Sequence, residues 1–361
     1  MKRSIEVLQV FRGIAATAVV FHHAADEVGK IPAVAAGARA FHIGHWINTD
    51  VGAVGVDLFF VISGFIMSYT ARRGGLREAR DFMVRRLVRI YPLYWACSLI
   101  MIAVLLLPWV QGFHPQPLAL FKSFVLYPTL YLDMVRPVIL PQGWTLIYEM
   151  LFYLLFAVTL SLTRFRQSLV VFGALAGMFV IAHLMPGENA VLVLLRDQVL
   201  FEFVFGLALG LLLVETEIRL TPKWAAVVIG VGLLLLLPSA LHSGYGWNIP
   251  RLWKFGVPAF LIIGGSLLRE PQPARFPRTL VVLGDASYSI YLVHVIVFLL
   301  YYTGWLRLHV LQKIPPDLHF FNLAISAVAL GVVAHFCIEK PLLEKCRQWT
   351  TRAREKLPAA A

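Results

Sequence analysis

Apolar residues fill ten long stretches of this chain, and short polar segments separate them. Most of the stretches are close to the roughly 20 residues that an α-helix needs to cross the hydrocarbon core of a bilayer, although the eighth is short. The pattern therefore predicts an all-α integral membrane protein with about ten transmembrane helices in one bundle. The predicted spans lie at 4–25, 52–71, 89–109, 141–162, 168–185, 191–214, 223–241, 254–268, 280–303 and 320–339.

One further apolar segment, at 118–132, is interrupted by Lys122 and Pro128. These two residues favour a re-entrant or interfacial segment over an eleventh span. An added span would also invert the topology of everything that follows it. The predicted domain organisation is a transmembrane domain over 1–345 and a basic cytoplasmic tail over 346–361.

Composition and charge support the membrane assignment. The chain is 59% hydrophobic and 14% charged, with a mean hydropathy of +0.75, which excludes a soluble globular domain. Lysine and arginine concentrate in alternate loops, and the positive-inside rule then predicts that both termini are cytoplasmic. This asymmetry explains most of the net charge of +12, so no nucleic-acid partner is expected.

Cysteine and histidine spacings give no sign of a disulfide framework or a metal site. Cys97, Cys337 and Cys346 fall in two spans and in the tail, which predicts no extracytoplasmic disulfide. CxxC and HExxH motifs do not occur in the sequence. We therefore predict no metal site.

The first span contains an arginine and a histidine eleven residues apart, in the sequence RGIAATAVVFHH. Eleven residues turn a helix about three times and advance it by roughly 16 Å, so Arg12 and His23 share one face at different depths. His22 points elsewhere. Ionisable groups inside a membrane are energetically unfavourable and usually functional. The pair predicts a site that extends from an inner arginine to an outer histidine.

Two carboxylates in later spans are candidates for the same site. Asp57, in GVDLFFVISGFIM, is predicted to lie at a depth similar to His23 and to orient its imidazole, with a merely interfacial aspartate as the alternative. Ser63 and Gly64 of that span are interpreted as packing residues. Glu149 lies about two turns into the fourth span, where a carboxylate must be paired, protonated or next to a wet cavity.

A basic cluster opens the predicted third span. It consists of Arg85, Arg86 and Arg89, and Tyr91 follows closely. The positive-inside pattern alone is one explanation. Guanidinium groups also bind phosphate, and Arg85 and Arg89 lie on one helical face. A polyphosphorylated cytoplasmic ligand is therefore the functional hypothesis.

Polar residues near the outer ends of two further spans complete the candidates. Arg196 and Glu202, in the sixth span, are expected either to line an outer vestibule or to form structural ion pairs. His294, in the ninth span, is either a ligand-binding or a hydrogen-bonded structural histidine. Glu339 is interpreted as part of a helix end.

These motifs, taken in order, resemble those of acyltransferase family 3. The matching segments are RGIAATAVVFHHA, GVDLFFVISGFIM, RRLVRIYPLYW, WTLIYEMLFY, SYSIYLVH and EKPL, and the form of the fourth looks most like the exopolysaccharide and Nod-factor acetylase branch. The resemblance implies transfer of an acyl group, most simply acetyl, from cytoplasmic acyl-CoA to a hydroxyl of an exopolysaccharide or lipid-linked glycan. The reaction would take place at the outer face of a bacterial inner membrane.

The resemblance also implies roles for the candidate residues. His23, Asp57 and Glu149 would be catalytic, and the acyl donor and the glycan acceptor would each have a binding set. His23 would deprotonate the acceptor for direct attack, which we prefer, or would carry the acyl group itself. The donor set is Arg12, Arg85, Arg86, Arg89 and Tyr91, and the acceptor set is Trp144, Arg196, Glu202 and His294.

The expected partners follow from this reaction. They are acyl-CoA as a co-substrate, the glycan acceptor, membrane lipids and a second copy of the chain, with no permanently bound cofactor. A secondary transporter for a polar or anionic molecule would also have ten spans with intramembrane charges, although the inner-arginine to outer-histidine arrangement on one helix is atypical of transporters. A structural subunit of a polysaccharide assembly leaves the pairing of Arg12 with His23 unexplained.

Overall fold

The protein is described here from a computed structural model. The structure describes residues 2–46, 49–70, 73–108, 110, 114–131, 134–241, 249–271, 276–307 and 314–355. Arg72 and Arg275 of the predicted inner loops lie outside the described residues. The last part of the predicted basic tail, 356–361, lies outside them as well.

Helices account for nearly all of the regular structure in the described ranges. The helices are α1 (Lys2–Gly29), α2 (Pro32–Ala35), α3 (His42–Trp46), α4 (Val54–Thr70), α5 (Leu76–Leu105), α6 (Pro117–Phe124), α7 (Trp144–Val158), α8 (Arg164–Leu184), α9 (Ala190–Leu195), α10 (Leu200–Glu215), α11 (Pro222–Leu241), α12 (Val257–Leu268), α13 (Arg278–Asp285), α14 (Ser287–Arg307), α15 (Pro316–Ala334) and α16 (Lys340–Glu355). Short 3-10 turns at Thr49–Ala53 and Pro141–Gly143 precede α4 and α7, and π-helical turns at Leu252–Gly256 and His335–Glu339 precede α12 and α16.

The prediction of an all-α membrane protein is confirmed. Among the described residues, 8 helical segments are long and apolar enough to cross a membrane. The remaining two predicted spans are also helical but shorter. The fourth is the 15-residue helix α7, and the eighth is the apolar segment Leu252–Leu268.

Several helix boundaries differ from the predicted ones. Helix α5 has 30 residues and begins at Leu76, so Arg85, Arg86 and Arg89 lie inside the helix rather than at its start. The predicted sixth span is divided into α9 and α10. These helices extend or break where polar residues occur, which a hydropathy pattern alone does not resolve.

The segment 118–132 does not form an additional span. Its helix, α6, has only 8 residues, far fewer than a membrane crossing needs. A two-stranded antiparallel hairpin follows, with β1 (Leu130–Tyr131) paired to β2 (Met134–Val135). The prediction that this segment is not an eleventh span is confirmed.

Helix α1 runs parallel to α13 and α14 in constant register. A Cβ atom added to Gly13 would lie 2.9 Å from the backbone nitrogen of Gly284, so the two helices touch closely at this point. Eleven residues further on, the ring of His23 stacks on that of His294, with centroids 5.4 Å apart. A residue on α14 therefore lies at the same depth as the residue of α1 that it packs against.

Helix α4 runs antiparallel to α1 and begins beside its middle. Gly52, just before α4, packs against the carbonyl oxygen of Ala18 and the Cβ atom of His22, and Gly55 packs against the carbonyl oxygen of Ala15. Helix α1 therefore extends about two turns beyond the start of α4. His23 lies in this extension, above the level of α4.

Helices α4 and α10 are held in close contact by glycine. A Cβ atom at Gly64 would lie 2.1 Å from the carbonyl oxygen of Phe203, and one at Gly206 would lie 2.1 Å from that of Val61. Small residues permit such backbone contact between membrane helices. The interpretation of Gly64 as a packing residue is consistent with this geometry.

Candidate active site

A cavity of about 810 Å³, open at its mouth, lies between α1, α4, α5, α7 and α14. This volume includes the solvent space at the mouth of the cavity. Most of the wall is apolar, and a few polar side chains project into it. The polar lining residues are Arg12, Ser63, Arg86, Arg89, Thr145, Glu149, Tyr153, Ser287, Tyr288 and Tyr291.

Three arginines line one end of this cavity, which we call the arginine end. Arg12 comes from α1, and Arg86 and Arg89 come from consecutive turns of α5. The Arg86 guanidinium packs over the rings of Phe82 and Tyr153, at 5.3 Å and 5.5 Å from their centroids. Its Nε atom is buried without a hydrogen-bond partner among the described residues. Such guanidinium groups are well suited to an anionic ligand.

Two residues of the predicted donor set lie outside the cavity lining. Arg85 is exposed on α5. The Tyr91 hydroxyl donates a hydrogen bond to the carbonyl oxygen of Val125 at 3.1 Å. Tyr91 therefore contacts the segment after α6 rather than the cavity. For Arg85, the positive-inside pattern remains the explanation of its position.

Glu149 is the carboxylate inside the cavity, and it accepts two hydrogen bonds. Ser63 Oγ donates to Glu149 Oε1 at 2.9 Å, and the Tyr153 hydroxyl donates to the same oxygen. All three side chains line the cavity. Glu149 is thus both hydrogen-bonded and next to a cavity, two of the three alternatives that its depth left open. The interpretation of Ser63 as a packing residue is wrong, because its hydroxyl holds this carboxylate. The sequence analysis missed Tyr153, although it lies one helical turn from Glu149.

Of the lining residues on α14, Tyr291 lies furthest along the helix towards His294. Its hydroxyl donates to the carbonyl oxygen of Gln142 at 2.8 Å and lies 3.0 Å from Thr145 Oγ1. Its ring is 5.8 Å from that of His294. Because Tyr291 is three residues before His294 on α14, the cavity ends about 4.5 Å, measured along the helix axis, short of the His23–His294 stack.

His23 belongs to a second cluster, which we call the histidine end. Its Nδ1 atom is 3.7 Å from Asp26 Oδ2, and His22 Nε2 is also 3.7 Å from that oxygen. The prediction that His22 points elsewhere is therefore wrong, because Asp26 lies within reach of both imidazoles. The His23 side chain is 40% exposed, whereas His294 beneath it is buried. A half-exposed imidazole with a carboxylate at one nitrogen is suited to accept a proton at the other.

The structure contradicts the prediction that Asp57 orients His23. Asp57 is fully buried, and its two carboxylate oxygens accept hydrogen bonds from Arg251 at 3.2 Å and 2.8 Å. The register of α4 explains the error, because α4 begins below the level of His23. The carboxylate that faces His23 is that of Asp26, one turn further along the same helix.

The predicted acceptor residues do not form one open surface. Arg196 donates to the carbonyl oxygens of Ala182 and Met185 at 2.9 Å and 2.7 Å, and so stabilises the end of α8. Glu202 and His294 are fully buried. The Trp144 ring is partly buried and packs near the Arg251 guanidinium, 5.9 Å from it.

Glu339 is a buried polar residue that the sequence analysis assigned to a helix end. Its Oε2 atom accepts a hydrogen bond from Ser289 Oγ at 2.7 Å and lies 2.7 Å from His335 Nδ1. The contact links the π-helical turn before α16 to α14. The buried carboxylate thus fixes the helix that carries Ser287, Tyr288 and Tyr291.

The sequence was compared with those of known proteins. The family model described as an acyltransferase domain matches residues 5–336. The chain belongs to acyltransferase family 3. The exopolysaccharide production protein ExoZ of Rhizobium meliloti (strain 1021) is 31% identical over 82% of this chain and 91% of its own length.

More distant relatives carry acyl-transfer names. The putative membrane-bound transacylase BcsY of Komagataeibacter xylinus is 27% identical over 70% of this chain and 67% of its own length. The O-acetyltransferase OatA of Staphylococcus aureus is 24% identical over 81% of this chain but 53% of its own length. No solved structure matches the chain. The protein is thus a multi-pass membrane protein of an acyltransferase family, which disfavours the transporter and assembly-subunit alternatives.

Proposed function

We propose that this protein is an O-acyltransferase that moves an acyl group from cytoplasmic acyl-CoA to a glycan hydroxyl on the opposite face of a bacterial inner membrane. The observation that carries the proposal is the cavity between Arg12 and Tyr291, which ends one helical turn short of His23. The names of ExoZ and OatA support a polysaccharide acceptor and an acetyl group.

The arginine end fits the polyphosphorylated part of acyl-CoA. Arg86 and Arg89 would bind phosphate oxygens, and Arg12 would bind further along the donor. The apolar wall formed by Val56, Phe59 and Ile62 would hold the uncharged pantetheine arm. The axial distance from Arg12 to His23, about 16 Å, is comparable to an extended arm of this kind.

Glu149 would act on the donor rather than on the acceptor. Its carboxylate lies within the cavity, where it fixes Ser63 and Tyr153. In that position it would align the amide groups of the arm through hydrogen bonds and keep the thioester in one orientation. Glu149 and its two hydroxyl partners are therefore proposed to position the donor.

At the histidine end, His23 and Asp26 would carry the chemistry. Asp26 would hold the proton of His23 on Nδ1, so that Nε2 presents a lone pair to the acceptor hydroxyl. The hydroxyl oxygen would attack the thioester carbon, the carbon–sulfur bond would break, and His23 would return the proton to the departing thiolate. Tyr291 lies between the thioester and His23, so its side chain must move during the reaction.

The proposal is tested by mass spectrometry of surface polysaccharide from cells with and without this chain. We expect O-acyl groups that depend on the chain and that disappear in a His23→Ala variant present at normal levels in the membrane. An unchanged acylation pattern in cells lacking the chain would contradict the proposed function.

A further inference from the structure

We propose that His22, His23 and Asp26 form a binding site for a transition-metal ion, with zinc as the representative ion, and that occupancy of this site inhibits the protein. The three side chains come from one stretch of α1 at the histidine end. One ligand atom from each lies within 4.8 Å of the other two. The presence of His22 beside His23 gives this chain a second imidazole at that point.

The spacing of the ligand atoms is close to that of a metal centre. His22 Nε2 and His23 Nδ1 are each 3.7 Å from Asp26 Oδ2. Neighbouring ligands around a tetrahedral zinc ion, with bonds of about 2.0–2.1 Å, are about 3.4 Å apart. Each imidazole-to-carboxylate distance would therefore shorten by about 0.3 Å on binding, and the two imidazole nitrogens already lie within 4.8 Å of each other.

The donor types select the class of ion. Two neutral imidazoles and one carboxylate carry a net charge of −1, which favours a divalent cation. Nitrogen-rich sites of this kind suit zinc, copper and nickel better than calcium or magnesium. His23 is 40% exposed and Asp26 44% exposed, so water would complete the coordination shell without rearrangement of the helix.

The stack with His294 holds one ligand in place before a metal binds. The His23 and His294 rings are nearly parallel, with an interplanar angle of 11°, and His294 is completely buried. This contact fixes the plane of the His23 ring while its Nδ1 atom faces Asp26. Less ordering is then needed on binding, which favours affinity.

Coordination at Nδ1 would remove the basic nitrogen of His23. A neutral imidazole carries one proton, and when a metal occupies Nδ1 that proton is on Nε2. Nε2 then has no lone pair with which to accept the proton of an acceptor hydroxyl. This inhibitory consequence depends on the role of His23 in the proposed function, whereas binding of the metal does not.

The binding test uses the purified full chain in lipid nanodiscs, titrated with zinc alone. We expect about one ion per chain at this site, and an affinity lowered about tenfold or more in His22→Ala and in Asp26→Asn. His183→Ala is the matched control, because His183 is an exposed histidine elsewhere, at the end of α8. Equal zinc affinity in the wild type and in His22→Ala would overturn the site.

The inhibition test measures acyl transfer with and without zinc. We expect saturating zinc to lower the wild-type rate at least tenfold, while His22→Ala keeps its basal rate and resists zinc. Zinc that binds without inhibiting, or a chelator that lowers the basal rate, would overturn the inhibitory role. If the chain shows no acyl transfer at all, the proposed function fails while the binding titration still decides the metal site.

Discussion

Arg12 and His23 lie in different environments, although both belong to the one apolar helix α1. Arg12 lines the cavity together with two more arginines, aromatic rings and a carboxylate network. His23 lies on a helix extension beyond the start of α4, where it is half exposed. The first environment favours a long ligand held along its length, and the second favours a polar ligand that arrives from outside. The difference supports the proposed division between donor binding at the arginine end and chemistry at the histidine end.

A substitution of His23 is the most severe test of the proposed division between the arginine end and the histidine end. His23→Ala should lower the rate of acyl transfer by about 10²–10⁴-fold, because a general base contributes on this scale. The matched control is His22→Ala, which should keep most of the activity in the absence of zinc. The measurement is initial-rate acyl transfer by purified variants at equal membrane content. A His23→Ala variant with near-normal activity would place the chemistry elsewhere.

The second test concerns the arginine end and separates binding from turnover. Arg89→Ala and Arg86→Ala should each raise the KM for acyl-CoA by about 10-fold or more with a smaller effect on kcat, because charge-assisted phosphate contacts stabilise binding. Arg85→Ala is the matched control, since Arg85 is exposed and outside the cavity lining. If Arg85→Ala and Arg89→Ala behave alike, the cavity is not the donor site.

A third test asks whether Asp26, rather than Asp57, orients the imidazole of His23. Asp26→Asn should lower kcat about fivefold, because an exposed contact of this kind contributes up to about 1 kcal/mol. The readout is kcat together with the KM for acyl-CoA, which should not change. An unaltered kcat would exclude Asp26 as the residue that orients His23.

The fourth test concerns Asp57. Asp57→Asn weakens the contact with Arg251 and should destabilise the fold by about 1–3 kcal/mol. The measurement is thermal unfolding in detergent, with activity of the surviving folded protein as the second readout. A fully stable variant with a large loss of kcat would restore Asp57 to a catalytic role.

Much of the fold could be predicted from hydropathy, because a membrane helix depends mainly on its own apolar length. The break between α9 and α10 and the early start of α5 could not be predicted, since hydropathy does not show where a helix continues into polar sequence or breaks within apolar sequence. A single sequence also does not show how neighbouring helices are aligned along their axes. The misplacement of Asp57 relative to His23 is the direct result of that missing information.

The candidate site was predictable only where residues lie on one helix. Arg12 and His23 are related by helical periodicity alone, and their common face is consistent with the structure. Asp26 is three residues from His23 and could have been found by the same argument. Tyr153 is one helical turn from Glu149 and could likewise have been found. Ser63 and Tyr291 acquire their place through contacts between helices, so their spacing in the sequence carries no signal for those contacts.

The sidedness of the reaction is the most direct test of the division between the two ends. Sealed vesicles containing the protein in one orientation would receive labelled acyl-CoA only at the face nearest Arg86 and Arg89, with acceptor glycan only at the face nearest His23. The account predicts labelled glycan on the His23 side without any added carrier, and little labelling when both substrates are exchanged between the faces. Labelling that requires donor and acceptor on the same face would contradict it.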